Sequence, residues 1–148
     1  MFRINRQTDY AIRVLLALAK QPQNKRISTS SIGKEMLIPP ALLTRIVAQM
    51  AQAKLILAFP GRDGGLLLAR PAEEINLREV VELMEGQFLL SECMLNQQEC
   101  PFEGRCPVRK RWHRLQQVIV EELEKTNFKE LALETEDLNS LGLIISDL

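Results

Sequence analysis

No stretch of this sequence is apolar enough to cross a membrane. Its longest uninterrupted apolar runs, residues 14–19 and 55–59, fall far short of the roughly 20 residues that a helical span requires. Arg3 and Arg6 precede an apolar stretch ending Ala17-Leu18-Ala19, as in an export signal, but Asp9 and Arg13 interrupt it. The apolar part that remains is too short to direct export, so a cytoplasmic protein with no membrane partner is expected. Cysteine is scarce and odd in number: three residues, all between positions 93 and 106. With no export signal, such a count argues against a disulfide scaffold. Histidine occurs once, and there is neither an internal repeat nor a low-complexity tract. What is present is material for one domain with an appended arm: 148 residues, 46% hydrophobic and 26% charged, the balance of an ordinary packed domain.

Net charge is also absent, but only in sum. Residues 1–80 hold twelve Lys/Arg against six Asp/Glu, and residues 81–148 hold seven against thirteen. The first half therefore carries a surplus of six positive charges and the second an equal negative surplus. A basic N-terminal half is the electrostatic footprint of a nucleic-acid-binding module.

Ala11, Val14, Leu15 and Leu18 recur at helical spacing and predict an amphipathic helix over 9–20, with Thr8 as its N-cap. A short helix is expected to begin among residues 28–31 and to turn Ile32 and Met36 inward. Leu37-Ile38-Pro39-Pro40 reads as a turn, with Pro40 in the first position of a third helix ending near Ala53. Leu42, Leu43, Ile46, Val47 and Met50 form that helix's inward stripe, leaving Ala41, Thr44, Arg45, Ala48 and Gln49 outward. Two short apolar runs, 55–59 and 66–69, flank Pro60-Gly61-Arg62-Asp63-Gly64-Gly65 and predict a β-hairpin. Asn76-Leu77-Arg78-Glu79 has the form of a capping box opening a helix to Glu85, stopped by Gly86. An irregular loop then carries the cysteines. A long helix over 107–125 presents Val108, Trp112, Leu115, Val118, Ile119 and Leu123, and an acidic tail with one short helix over 128–133 closes the chain.

Two short helices, a tight turn and a glycine-tipped hairpin make a winged helix-turn-helix. Its third helix would offer Thr44, Arg45 and Gln49 to base edges in the major groove. Ser30, Ser31, Pro40 and Ala41 would approach phosphates, and the wing tip at Gly61 and Arg62 would reach the adjacent minor groove. The competing reading is a small helical bundle whose charges are merely solvated. The pattern points to a mostly α fold: a winged helix-turn-helix with a small hairpin wing and a long C-terminal dimerisation helix. The divisions expected are 1–85 for DNA binding, 86–107 for the cysteine loop, and 108–148 for the dimerisation helix and acidic tail.

The opening helix Thr8-Asp9-Tyr10-Ala11-Ile12-Arg13-Val14-Leu15 resembles that of the Rrf2 family of bacterial winged-helix regulators. So do Leu42-Leu43-Thr44-Arg45-Ile46, the end of that helix at Ala53-Lys54-Leu55-Ile56, and the wing Gly61-Arg62-Asp63-Gly64-Gly65-Leu66-Leu67-Leu68. The resemblance runs to about residue 130. It departs at Leu66, where an aromatic is usual, and at Lys54, where glycine is common. It implies a double-stranded DNA operator, a homodimer reading two half-sites, and neither an enzyme nor a small-molecule substrate.

Cys93, Cys100 and Cys106 stand at C-x6-C-x5-C spacing. Iron–sulfur clusters are held mainly by thiolates, usually four, so three cysteines leave one position for another ligand. Zinc on the three cysteines plus His113 is an alternative, although zinc sites usually bring cysteines in close pairs. Metal-free thiol–disulfide sensing is another, and inert cysteines a third. The spacing resembles the sensor loop of the family's cluster-binding branch, which implies a 4Fe–4S or 2Fe–2S cluster sensing nitric oxide, redox state or iron. IscR-like members place a histidine three residues past the last cysteine, but Arg109 stands there. NsrR-like members use an aspartate of the first helix of the other subunit, a motif Asp9 matches. The plain reading of Asp9 is an acidic residue in a helix's first turn. Arg105, Arg109, Lys110, Arg111 and Arg114 crowd the start of the long helix, where positive charge is disfavoured unless an anion offsets it. A small iron–sulfur redox protein and a regulator controlled by a protein partner through its acidic half remain as rival readings.

Overall fold

Asn5 starts the first helix. In the computed structural model, which describes residues 3–95, 100–102 and 104–140, α1 spans Arg6–Ala19. The Asn5 side chain accepts the backbone N–H groups of Gln7 and Thr8. The cap expected at Thr8 is thus corrected to Asn5. Thr8 lies inside the first turn, fully buried, because its hydroxyl has a partner elsewhere in the fold.

Helix α2 (Thr29–Glu35) is capped by the Ser28 hydroxyl, and α3 (Pro40–Gln52) has proline at its start. Between them Leu37 takes a positive φ of 54°, which turns the chain sharply into α3. Strands β1 (Ile56–Phe59) and β2 (Gly65–Leu68) pair antiparallel, Ile56 opposite Leu68 and Phe59 opposite Gly65. Ile27 exchanges two backbone hydrogen bonds with Leu66, so the hairpin is sewn to the segment before α2. That closeness explains two of the glycines. A Cβ on Gly65 would stand 2.7 Å from the Ile27 carbonyl, and one on Gly64 would stand 2.1 Å from that of Phe59.

Helix α4 (Leu77–Glu85) opens with both halves of the Asn76–Glu79 capping box and stops at Gly86. Helix α5 (Pro107–Lys125) buries none of its residues. Helix α6 (Phe128–Ser140) is longer than the 128–133 expected, and residues 141–148 lie outside the described residues. Two single 3-10 turns, Ala72–Glu74 and Glu92–Met94, had no periodic signal.

The core forms around Ala11, Val14 and Leu15 of α1, against Ile32, Ile46, Met50, Ile56, Leu66 and Val80. Phe128, from the far end of the chain, is the largest fully buried side chain there. Its backbone N–H donates to the Ile75 carbonyl, and the Leu77 N–H donates to that of Thr126. The segment expected as an acidic tail therefore returns as α6 to pack on α1, while α5 lies against α4 and the second 3-10 turn.

Lys54 makes one consequence of the family pattern testable. It holds φ 59° at the turn from α3 to β1, and the left-handed region costs an L-residue roughly 1–2 kcal/mol. Glycine removes that strain but loses about 0.5–1 kcal/mol in unfolded-state entropy. Lys54→Gly is therefore expected to raise stability by up to about 1 kcal/mol, read as a higher urea midpoint.

Candidate DNA interface and cysteine loop

Pro40, Ala41, Thr44 and Arg45 are exposed on one side of α3, and Ser30 and Ser31 on the first turn of α2. The Thr44 hydroxyl donates to the Pro40 carbonyl at 3.0 Å, which holds its side chain along the helix. The Ser31 hydroxyl lies 2.7 Å from that of Ser28. Gln49, expected to face outward, is half-buried, and its Oε1 is buried with no hydrogen-bond partner among the described residues. The outward face of α3 is thus narrower than its periodicity suggests.

Gly61 and Arg62 stand exposed at the wing tip. Arg26 holds that tip. Its guanidinium lies over the Phe59 ring, 3.7 Å from the centroid, and donates to the Asp63 carbonyl at 3.2 Å. Sequence reading missed Arg26, because neither spacing nor motif ties it to a hairpin 30 or more residues away. The Ile27–Leu66 pairing brings them together.

All three cysteines are free thiols and half-buried. Cys93 lies in the second 3-10 turn, with the Ser91 hydroxyl 3.1 Å from its sulfur. Cys106 occupies the N-cap position of α5, with no side-chain cap bond. It opens on a pocket of about 420 Å³ lined by Arg105, Lys110, Arg111 and Arg114. The donor set, three free thiols of which Cys106 stands at the positive end of a helix beside its cations, has the chemistry of a thiolate-bound anionic group. No three metal-binding side chains are yet gathered among the described residues, and part of the loop lies outside them.

Asp9 is half-exposed and pairs with Arg13 at 2.8 Å. Arg13 also donates to the Met36 carbonyl at 3.3 Å and lies over the Tyr10 ring. It thereby ties α1 to the turn before α3. His113 is exposed on α5. The second residue that sequence reading missed is Glu85, whose carboxylate accepts the Thr8 hydroxyl at 2.6 Å and the Asn5 N–H at 2.8 Å. The hydrogen bond from Thr8 and those from Asn5 hold its pKa below the usual glutamate value, against the opposing effect of burial. Glu85 thus fastens the end of α4, where the cysteine loop begins, to the first turn of α1. This fastening is complete at neutral pH and weakens as acid protonates the carboxylate.

A family model described as Rrf2, iron-dependent transcriptional regulator, matches residues 4–134. The chain belongs to the Rrf2 family. It is 33% identical over 135 residues to the HTH-type transcriptional regulator NsrR of Shouchella clausii, covering 90% of this chain and 91% of that protein. Its fold matches that of CymR, the global cysteine regulator of B. subtilis, with a TM-score of 0.77 and 23% identity over 90% of this chain and 98% of the other. T. potens IscR matches with a TM-score of 0.72 and 19% identity, over 92% and 90%. At those identities the two structures establish the shared winged-helix fold.

As an Rrf2 protein the chain is a transcriptional regulator, and its relatives are not enzymes. Membership of this winged-helix regulator family implies binding to DNA. No described helix is long and apolar enough to cross a membrane.

Proposed function

We propose that this Rrf2 regulator works in the cytoplasm as a homodimer whose operator affinity is set by an iron–sulfur cluster on Cys93, Cys100 and Cys106. The observation that carries the reading is the set of three free, half-buried thiols, with Cys106 at the cationic start of α5. Soft thiolates are the ligands iron–sulfur clusters use, and a thiolate-bound cluster offsets cations that the α5 macrodipole disfavours. When bound, such a cluster supplies redox chemistry and reactivity toward oxidants or nitric oxide. Support for the homodimer comes from the exposed apolar stripe of α5, where Val108, Trp112, Leu115 and Val118 are each more than two-fifths exposed. An apolar stripe of that kind favours a covering partner.

Asp9 is the residue we assign to the fourth position, presented from the other subunit, with His113 the alternative. The family resemblance supports Asp9, whereas His113 lies on the exposed surface of α5. Whatever takes the Asp9 carboxylate away from Arg13 frees the guanidinium that ties α1 to the turn before α3. The signal then has a short path to the reading helix. Protein purified without oxygen is expected to be brown and to contain iron and acid-labile sulfide. Colourless protein with stoichiometric zinc, even after reconstitution with iron and sulfide, would assign the loop to zinc.

A second reading has its own support: the thiols are free and not gathered for a metal among the described residues. In that case the cysteines sense by thiol–disulfide exchange. The same spectrum separates the two, because metal-free switching by oxidant needs no iron.

At the DNA surface, Thr44 and Arg45 are the side chains assigned to base edges, the wing tip at Gly61 and Arg62 to the minor groove, and Ser30, Ser31, Pro40 and Ala41 to the phosphates. Gln49 reads a base only if its buried Oε1 turns outward. Arg45→Ala is expected to weaken binding and blur base preference by about 1–3 kcal/mol, while Arg62→Ala weakens binding with less loss of preference. Unchanged binding in both, measured by fluorescence anisotropy, would refute these reading heads.

A further inference from the structure

A wing contributes to DNA binding only if its tip is held, and this hairpin does not hold its own. Strands β1 and β2 are four residues each, and a lone two-stranded hairpin is marginally stable in water. Pro60, Gly61, Arg62 and Asp63, beyond the paired strands, are exposed.

The fastening comes from the residues just ahead of α2. The Arg26 guanidinium lies 3.7 Å from the centroid of the Phe59 ring, at the end of β1, and donates to the carbonyl of Asp63, the residue after Arg62. Ile27 exchanges two backbone hydrogen bonds with Leu66 of β2. Ser28 caps α2, whose first turn carries Ser30 and Ser31. The wing is shaped to admit this segment. Gly65 has φ 133°, and a Cβ there would stand 3.3 Å from that of Arg26 and 2.7 Å from the Ile27 carbonyl. Three consecutive residues thus brace the tip, pair with the strand and start α2. They fix the wing relative to the helix-turn-helix. Arginine suits the first of these tasks, because a planar guanidinium can stack on a ring while donating in its own plane.

We infer that Arg26 is a positioning residue for DNA binding: without touching DNA, it holds the wing so that Arg62 enters the minor groove. The inference rests on the assignment of Arg62 to that groove. Its effect is preorganisation, since a tip that must be ordered on binding costs affinity.

The test uses the full-length protein and a duplex that the wild type selects from a random-sequence pool, with anisotropy followed across a salt titration. R26A is expected to weaken binding about tenfold, the combined worth of an exposed cation–π contact and one hydrogen bond. In an R62A background the same substitution should change affinity by less than about twofold, the scatter within which independent effects add. It should also leave the slope of log K against log salt unchanged there, whereas a lost phosphate contact would lower it by about 0.9. R26K keeps the charge but should not restore binding, and F59L, which removes the ring, should reproduce R26A. Hydroxyl-radical footprints should lose protection under the wing and keep it under α3, which an unfolded variant would not do. Multiplying effects of R26A and R62A, or rescue by R26K, would make Arg26 a direct DNA contact and overturn the proposal. Wild-type binding by a folded F59L overturns it as well; if F59L does not fold, the R26A/R62A cycle decides. A silent R62A refutes the minor-groove assignment and this inference with it, while an effective R62A beside a silent R26A refutes this inference alone.

Discussion

Replacing Phe128 with alanine is expected to destabilise the DNA-binding part of the molecule by roughly 3–5 kcal/mol, the usual cost of emptying a large aromatic site in a core. Phe128 is wholly buried among α1, α3 and hairpin residues, although it lies past α5 in sequence. Its N–H bond to the Ile75 carbonyl and the Thr126–Leu77 bond beside it lock it at the start of α4. Domains of this size have only 5–15 kcal/mol in reserve, so the loss falls on the whole cooperative unit. Urea unfolding followed by circular dichroism reads it directly. Leu133→Ala, on an exposed position of the same helix, should change stability by no more than about 0.5 kcal/mol. Equal small effects from both would mean that α6 is an independent tail.

Each of Cys93→Ala, Cys100→Ala and Cys106→Ala is expected to lose most of the iron and sulfide of anaerobically prepared protein, because no spare thiol exists in the chain to replace a missing ligand. Asp9→Ala should behave differently. A carboxylate is a harder ligand than thiolate and a poorer match for cluster iron, so three cysteines and an exogenous ligand should still retain a cluster. Control of DNA affinity should weaken, because Arg13 loses the partner that sets its hold on Met36. Iron content, visible spectra and DNA affinity with and without the cluster distinguish the two classes of variant. Wild-type spectra and switching in Asp9→Ala, with cluster loss in His113→Ala, would assign the fourth position to His113.

The elements of the reading head were legible because their signals are local. Ser28, Pro40, the Asn76–Glu79 box and Gly86 act within one turn of where they sit, and the structure has helix boundaries at each. The start of α1 was misread because Asn5 and Thr8 are both competent caps. What excluded Thr8 is a partner 77 residues away. Gln49 faced outward by periodicity, yet its Oε1 is buried, since periodicity assigns a face but not a rotamer.

The sequence alone determined that a basic N-terminal half with two short helices and a glycine-tipped hairpin precedes a loop with every cysteine in the chain. Periodicity, caps and composition suffice for that, since each depends on neighbours within a few residues. Only the tertiary structure decided that Phe128 completes the N-terminal core, that Arg26 steadies the wing, and that Glu85 and Arg13 bind the end of α4 and the reading turn to α1. Those contacts join residues from 23 to more than 100 positions apart. They are selected by burial and by satisfying polar groups across the whole fold, which leaves no periodic trace along the chain.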